Sequence, residues 1–378
     1  MATIALTVDV ERRTGSAWWV SAVFAATLLP SVLVGLLAGP FVDRLSRKRL
    51  LVGADLVRLG VFAALPAVGS ATAIVALAAV AGVANAFFRP AVLAGVPNLV
   101  EEAEIARGSS LLQAADWTAT AVGPVVAGAL VGASGPHLVY WLNAATFLFS
   151  ALLIVRIPAR LLQSDERITR GHWRDLRDGL AEFRRSRPLL TVMLALGLAN
   201  IAGGLVNVAE IFLATRTLHS GAFGYGLLWT ATGVGLLAGS LLLGGLLEHR
   251  APLTVYPWAF LPWALGALCA GIAPNVWLAA LAMIVTGFGN GLAFPLTVVI
   301  IQRSTLDRIR GRVFTVIISV HNALLGIAFA AAGALTNDYG ARWVYGAAAG
   351  LIFAGGAAAA VLTRGRHAEL ALGQEQPA

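Results

Sequence analysis

The chain has 378 residues, 58% hydrophobic and 12% charged, about half the charged fraction of a soluble domain. At a mean hydropathy of +0.80 it has too little polar side chain to coat a water-soluble globule, so lipid must solvate most of its surface. A single cysteine, Cys269, excludes an intrachain disulfide framework and offers no metal cluster, and no cofactor is expected.

No cleavable leader is visible, because residues 1–8 lack a basic start and a small-residue cleavage site before the charges of Asp9 to Arg13. Apolar runs long enough to cross about 30 Å of hydrocarbon then recur at 21–41, 50–69, 72–96, 109–133, 138–155, 189–213, 223–247, 254–272, 276–299, 313–335 and 343–362. These predict eleven complete spans in an all-α integral membrane protein. The charged stretch 156–188 reads as a central loop, with an amphipathic helix expected over 173–183. The expected organisation is a bundle at 1–155, the loop at 156–188, a second bundle at 189–362 and a tail at 363–378.

Lysine and arginine set the orientation. With the loop from Asp43 to Arg49 in the cytoplasm, 21 basic residues fall inside and only Arg12, Arg13, Arg216 and Arg342 outside. That split accounts for the net charge of +8 without a nucleic-acid partner, and it predicts a multi-pass inner-membrane protein with a cytoplasmic C-terminus.

The chain repeats itself. A shift of 205 residues lays Gly82 on Gly287, Asn85 on Asn290, Pro90 on Pro295, Gly128 on Gly333 and Gly135 on Gly340. Two parallel six-helix repeats form a transporter architecture with its site between the halves. The span at 189–213 has a first-half counterpart that would begin about 16 residues before Met1. The first helix is therefore expected to be mostly missing, with codons upstream of Met1 completing it; the alternative is a truncated protein.

The most specific motif is Gly39-Pro-Phe-Val-Asp43-Arg44-Leu-Ser-Arg47-Lys48-Arg49. It resembles the signature loop of the major facilitator superfamily, G-x-x-x-D-(R/K)-x-G-(R/K)-(R/K), with Ser46 in place of the second glycine. The resemblance implies a gating role for Gly39, Asp43, Arg44, Arg47 and Lys48; the alternative is a positive-inside anchor. Phe87 to Pro97, Thr14-Gly15-Ser16, Gly123-Pro124 to Gly128 and Gly224 to Leu228 resemble the branch containing macrolide-efflux and enterobactin-export proteins. Gly123, Pro124 and Gly128 also resemble a helix-bend signature of proton-driven exporters, where proline removes a backbone hydrogen bond.

Ionisable residues within spans are read as functional. Asn85 with Arg89, and Gln113 with Asp116, share helix faces, and Arg89 with Asp116 is expected to form a buried ion pair, either a staple or a coupling element. Asp55 and Arg58 read as a structural pair. Asn200, Asn207 and Glu210 share a stripe, with Glu210 expected near the outer surface in solvent. His321 and Asn322 sit mid-span as cavity candidates, and Trp229 and Phe294 as lining of an apolar pocket.

No Walker loop, HExxH pair or nucleophile elbow appears, which leaves ATP-driven transport and membrane hydrolysis without support. The resemblance implies two pseudo-symmetric six-helix bundles exporting a small hydrophobic compound against proton influx, by a monomer in the lipid bilayer. Siderophore export, uptake and a transport-dead receptor remain as alternatives.

Overall fold

A computed structural model describes residues 1–37, 46–95, 99, 104–158, 186–305 and 307–363. Gly39, Asp43 and Arg44 of the signature loop lie outside these residues, as do 173–183 and the tail 364–378.

Twelve α-helices follow one another: α1 Ala2–Thr14, α2 Ala17–Leu37, α3 Arg47–Ala64, α4 Ala71–Gly95, α5 Ile105–Ser134 and α6 Pro136–Arg156 in the first half. The second half holds α7 Arg187–Phe212, α8 Gly221–His249, α9 Pro252–Ile272, α10 Val276–Ser304, α11 Asp307–Tyr339 and α12 Ala341–Thr363. There is no strand among the described residues, as expected where lipid cannot satisfy an open sheet edge. The described residues of the eleven expected spans fall on α2 through α12. Among the described residues nine helices are long and apolar enough to cross a membrane, and α2 and α5 carry shorter apolar stretches, Ala17–Pro30 and Thr118–Ser134.

The first helix departs from expectation. Only residues 2–8 were expected in it, but α1 has 13 residues and runs through the charges of Asp9 to Arg13, because Asp9, Glu11 and Arg13 are paired within the fold. Its length of about 20 Å still falls short of a span.

Residues group into two compact units, each described by itself. The first comprises Met1–Arg170, Val208–Thr230 and Phe329–Gly340. Its outward surface is apolar: Trp141, Phe149 and Leu152 of α6 are each more than half exposed, while Tyr140 and Ala144 of the same helix are buried. Such a helix is inside-out by soluble standards and right for lipid. The second unit comprises Gly171–Asn207, Ala231–Ala328 and Ala341–Ala378. Its core gathers Val192, Tyr256, Phe260, Trp263, Leu296, Val316 and Ile352.

Helices within each unit approach through small residues, the device that replaces the hydrophobic effect in lipid. In the first unit a Cβ on Gly82 would lie 2.8 Å from the Ala26 carbonyl and 3.0 Å from that of Thr27. In the second, a Cβ on Gly287 would lie 2.8 Å from the Thr232 carbonyl carbon. Thr27 and Thr232 are themselves 205 residues apart, so the α2–α4 and α8–α10 contacts repeat residue for residue. Gly135 and Gly340 close the α5–α6 and α11–α12 turns at φ 81° and 82°, a region L-residues with side chains avoid. Tyr140 and Tyr345, again 205 apart, are both fully buried.

Replacing Gly82 by valine is expected to cost about 1–3 kcal/mol or more, because backbone rather than a movable side chain stands in the way. Gly60→Val, with nothing within 4 Å of the added atom, should stay near wild type. Detergent thermal melts of the two variants check this.

Candidate functional site

The helix-bend motif lies in the first unit at a seam between α5 and α8. Pro124 has no N–H to give to the preceding turn, and the next amide, Val125 N–H, donates to the Thr230 hydroxyl at 3.1 Å. Below it, a Cβ on Gly128 would lie 2.6 Å from the Ala222 carbonyl and 3.1 Å from the Gly226 Cα. Ala222, Gly226 and Thr230 recur at i, i+4, i+8 and form the small face that admits α5. A Cβ on Gly123 would lie 3.7 Å from the Met1 nitrogen, ordinary van der Waals contact.

The repeat places a second seam in the same unit, between α2 and α11. A Cβ on Gly333 would lie 2.9 Å from the Ser21 hydroxyl and 3.0 Å from the Trp18 Cα. Gly333 is the counterpart of Gly128, and Ser21 of Gly226, under the shift of 205. Phe24 and Phe329 pack at 5.2 Å, and the Asn337 side-chain oxygen accepts the Ala17 N–H at 3.0 Å, supplying one of the acceptors a helix start lacks.

Arg89 and Asp116 meet, at 2.8 Å. The expectation that they are buried is corrected: their side chains are 60% and 38% exposed, because the face of α4 that carries Asn85 and Arg89 is open. Gln113 lies on α5 one turn from Asp116. The buried pair is instead Asp55–Arg58, at 2.5 Å with 1% and 9% side-chain exposure. The Arg58 guanidinium lies between the rings of Phe88 and Phe147, at 4.1 and 4.6 Å, so aromatic faces replace much of its lost hydration. Of the signature-loop cations, Lys48 donates to the carbonyls of Val155 and Ile157 at 2.6 and 2.7 Å. It thus caps the C-terminal end of α6, where a cation suits the helix dipole; Arg47 begins α3.

Asp9, which the sequence reading passed over, and Glu210 are both deeply placed. Asp9 is 4% exposed, 2.7 Å from Arg13 and 2.9 Å from the Tyr140 hydroxyl. Arg13 in turn donates to the carbonyls of Val68 and Gly69 at 2.9 and 3.1 Å, tying α1, α6 and the end of α3 together. The i, i+4 spacing of Asp9 and Arg13 was the available signal. Glu210 was expected in solvent, and this too is corrected: it is 3% exposed, because the chain reverses after α7 and brings Tyr225 of α8 beside it.

In the second unit Asn200 donates to the Leu196 carbonyl of its own helix at 2.9 Å. Asn207 and Asn322 are half-buried, and His321 is buried with its Nε2 without a hydrogen-bond partner among the described residues. Trp229 is half-buried in the first unit, while Phe294 in the second is 57% exposed. A groove of about 340 Å³ runs between α9 and α12, lined by Pro257, Trp258, Phe260, Phe353 and Gly356. Trp258 and Phe353 are mostly exposed, so this is a lipid-facing groove rather than a polar transport site.

Repeated helical bundles, lipid-facing exteriors and glycine seams define a membrane transporter of the major facilitator fold. The mutant nucleoside transporter NupG shares this fold, with a TM-score of 0.78 over 96% of each chain at 15% identity. Residues 4–373 match the family described as transmembrane secretion effector, and the chain belongs to that family. It is 28% identical over 346 residues to the multidrug efflux pump Tap of Mycobacterium tuberculosis, covering 88% of this chain and 82% of that one. It is 26% identical over 255 residues to macrolide efflux protein A of Streptococcus pyogenes, covering 62% and 60%. These relatives are transporters, not enzymes.

The two ion pairs should differ sharply in double-mutant cycles read by thermal stability. Arg89→Gln with Asp116→Asn is expected to show a coupling of about 0–1 kcal/mol, as accessible pairs do. Removing one partner of Asp55–Arg58 should cost about 3–5 kcal/mol, because the other charge is left buried.

Proposed function

We propose that this protein expels a small, mostly hydrophobic compound, a drug or secondary metabolite, in exchange for protons, by alternating access. Membership of a family whose relatives include efflux pumps carries the reading, and the α5–α8 seam supports it. A seam closed by Gly128 and Gly226 against backbone interlocks no long side chains, so it can part and re-form with little repacking.

In this reading the signature loop with Asp43 and the C-terminal tail face the cytoplasm, as the 21-to-4 division of basic residues indicates. Asn85, Arg89, Gln113 and Asp116 contribute the polar part of the route through the first bundle. The Arg89–Asp116 pair is accessible and therefore costs little to open when a substrate or proton arrives. Asn200, Asn207, His321 and Asn322 contribute polar groups from within the second bundle. Lys48 holds α6 to the base of the signature loop, and Asp43 exerts the gating charge.

The experiment is uptake of a fluorescent hydrophobic dye into everted membrane vesicles energised by a proton gradient. Wild type should accumulate dye, and an uncoupler should abolish accumulation; uptake that persists in uncoupler would overturn proton exchange. Asp43→Asn should lower the rate about tenfold or more at unchanged membrane abundance, the loss of roughly 1.4 kcal/mol of gating preference. A wild-type rate would remove Asp43 from the gate.

A further inference from the structure

The reading above leaves Glu210 unused. It lies at the end of α7, where the π-helical turn Leu213–Thr217 and two left-handed positions, His219 at φ 50° and Gly221 at φ 62°, fold the chain back into α8. That reversal brings Tyr225 near Glu210 and near Thr7 of α1, with the Trp229 ring one helical turn on at 6.4 Å from that of Tyr225. The Tyr225 hydroxyl lies within electrostatic reach of the Glu210 carboxyl and beside the polar atoms of Thr7 and Trp229. Even so, Thr7 Oγ1, Glu210 Oε1, Tyr225 Oη and Trp229 Nε1 are all buried without a well-formed hydrogen bond among the described residues. Four polar groups from three helices are thus sealed together in one unit.

The nearby charges are committed elsewhere. Arg216 lies over the Phe212 ring at 4.7 Å, donates to the Gly15 carbonyl and stands 3.5 Å from Glu11. Asp9 on α1 is held by Arg13 and Tyr140, and His219 is exposed on the turn. An ionised carboxylate sealed from water and from cations is strongly disfavoured; a proton removes the charge and adds a donor where acceptors stand nearby. Water can exchange that proton only when α1 parts from α7 and α8, so proton occupancy and closure of this seam are linked.

We propose that Glu210 is a proton-binding site, holding its proton while the α1–α7–α8 seam is shut and exchanging it when the seam opens. The proposal rests on the proton-exchange reading and assigns it a group. The test is infrared spectroscopy of the full-length protein in liposomes, alongside dye transport in the same preparation. A protonated-carboxyl stretch, shifting in D2O, is expected in wild type and missing from Glu210→Gln. That variant should keep dye counterflow, which needs no net proton movement, and lose gradient-driven uptake.

An unchanged spectrum in Glu210→Gln, or gradient-driven uptake surviving in it, overturns the proposal. Loss of counterflow together with an unchanged spectrum marks an ionised Glu210 that binds a cationic substrate, and overturns it as well. If wild-type uptake ignores an uncoupler while the Glu210 band is present, the coupling reading fails and the proton site stands. Should Glu210→Gln fail to reach the membrane, Tyr225→Phe and Thr7→Val keep the carboxyl and change its neighbours. Both should then shift the band, and an unmoved band in both overturns the assignment.

Discussion

Backbone-to-backbone approach at glycine is the contact on which the rest of this fold depends. In lipid no hydrophobic force drives one apolar helix against another, so cohesion must come from close packing over short distances. The chain supplies that distance with 41 glycines, and the tightest contacts fall where glycine on one helix meets a carbonyl on the next. Gly287 and Gly291 of α10 lie against the backbone of Thr232 and Leu236 on α8, while Gly289 of the same helix lies against Trp263 on α9. One helix is thereby locked on two sides with almost no side chain between.

The charged residues follow a second rule of the same solvent. Among the described residues the buried cation Arg58 has a carboxylate and aromatic faces, and the more exposed Arg13 has carbonyl oxygens just past a helix end. Arg342 does likewise, donating to the Ala273 carbonyl at 3.1 Å, and Ala273 is the repeat counterpart of Val68. Against this background a carboxyl with no cation is conspicuous. Glu210 breaks the rule that its neighbours obey, and sites that break a local rule are where function is found in otherwise consistent proteins.

The seams join the two themes. The α5–α8 and α2–α11 contacts of the first unit use repeat-related glycines, Gly128 and Gly333, but finish differently. Thr230 answers the amide freed beside Pro124, while Asn337 answers the start of α2. A duplicated scaffold has diverged in its polar details, which is what a transporter needs if its two halves are to treat protons and substrate differently.

The order and position of the helices were legible in the sequence, because each span is a continuous apolar run bounded by charge, and lipid permits no other reading of such a run. The 205-residue repeat was legible as well, since glycines at backbone contacts cannot drift without a clash. Which charges are buried was not. Arg89 and Asp116 stand at the expected depth and do meet, yet on an open face; Asp55 and Arg58 stand in an unremarkable stretch of α3 and are enclosed by rings from α4 and α6. Glu210 lies within two residues of a helix end, a place that reads as solvent until α1 and the returning α8 are laid over it. Depth along a helix follows from counting residues, but burial depends on which neighbours cover a face, and only the tertiary packing decides that.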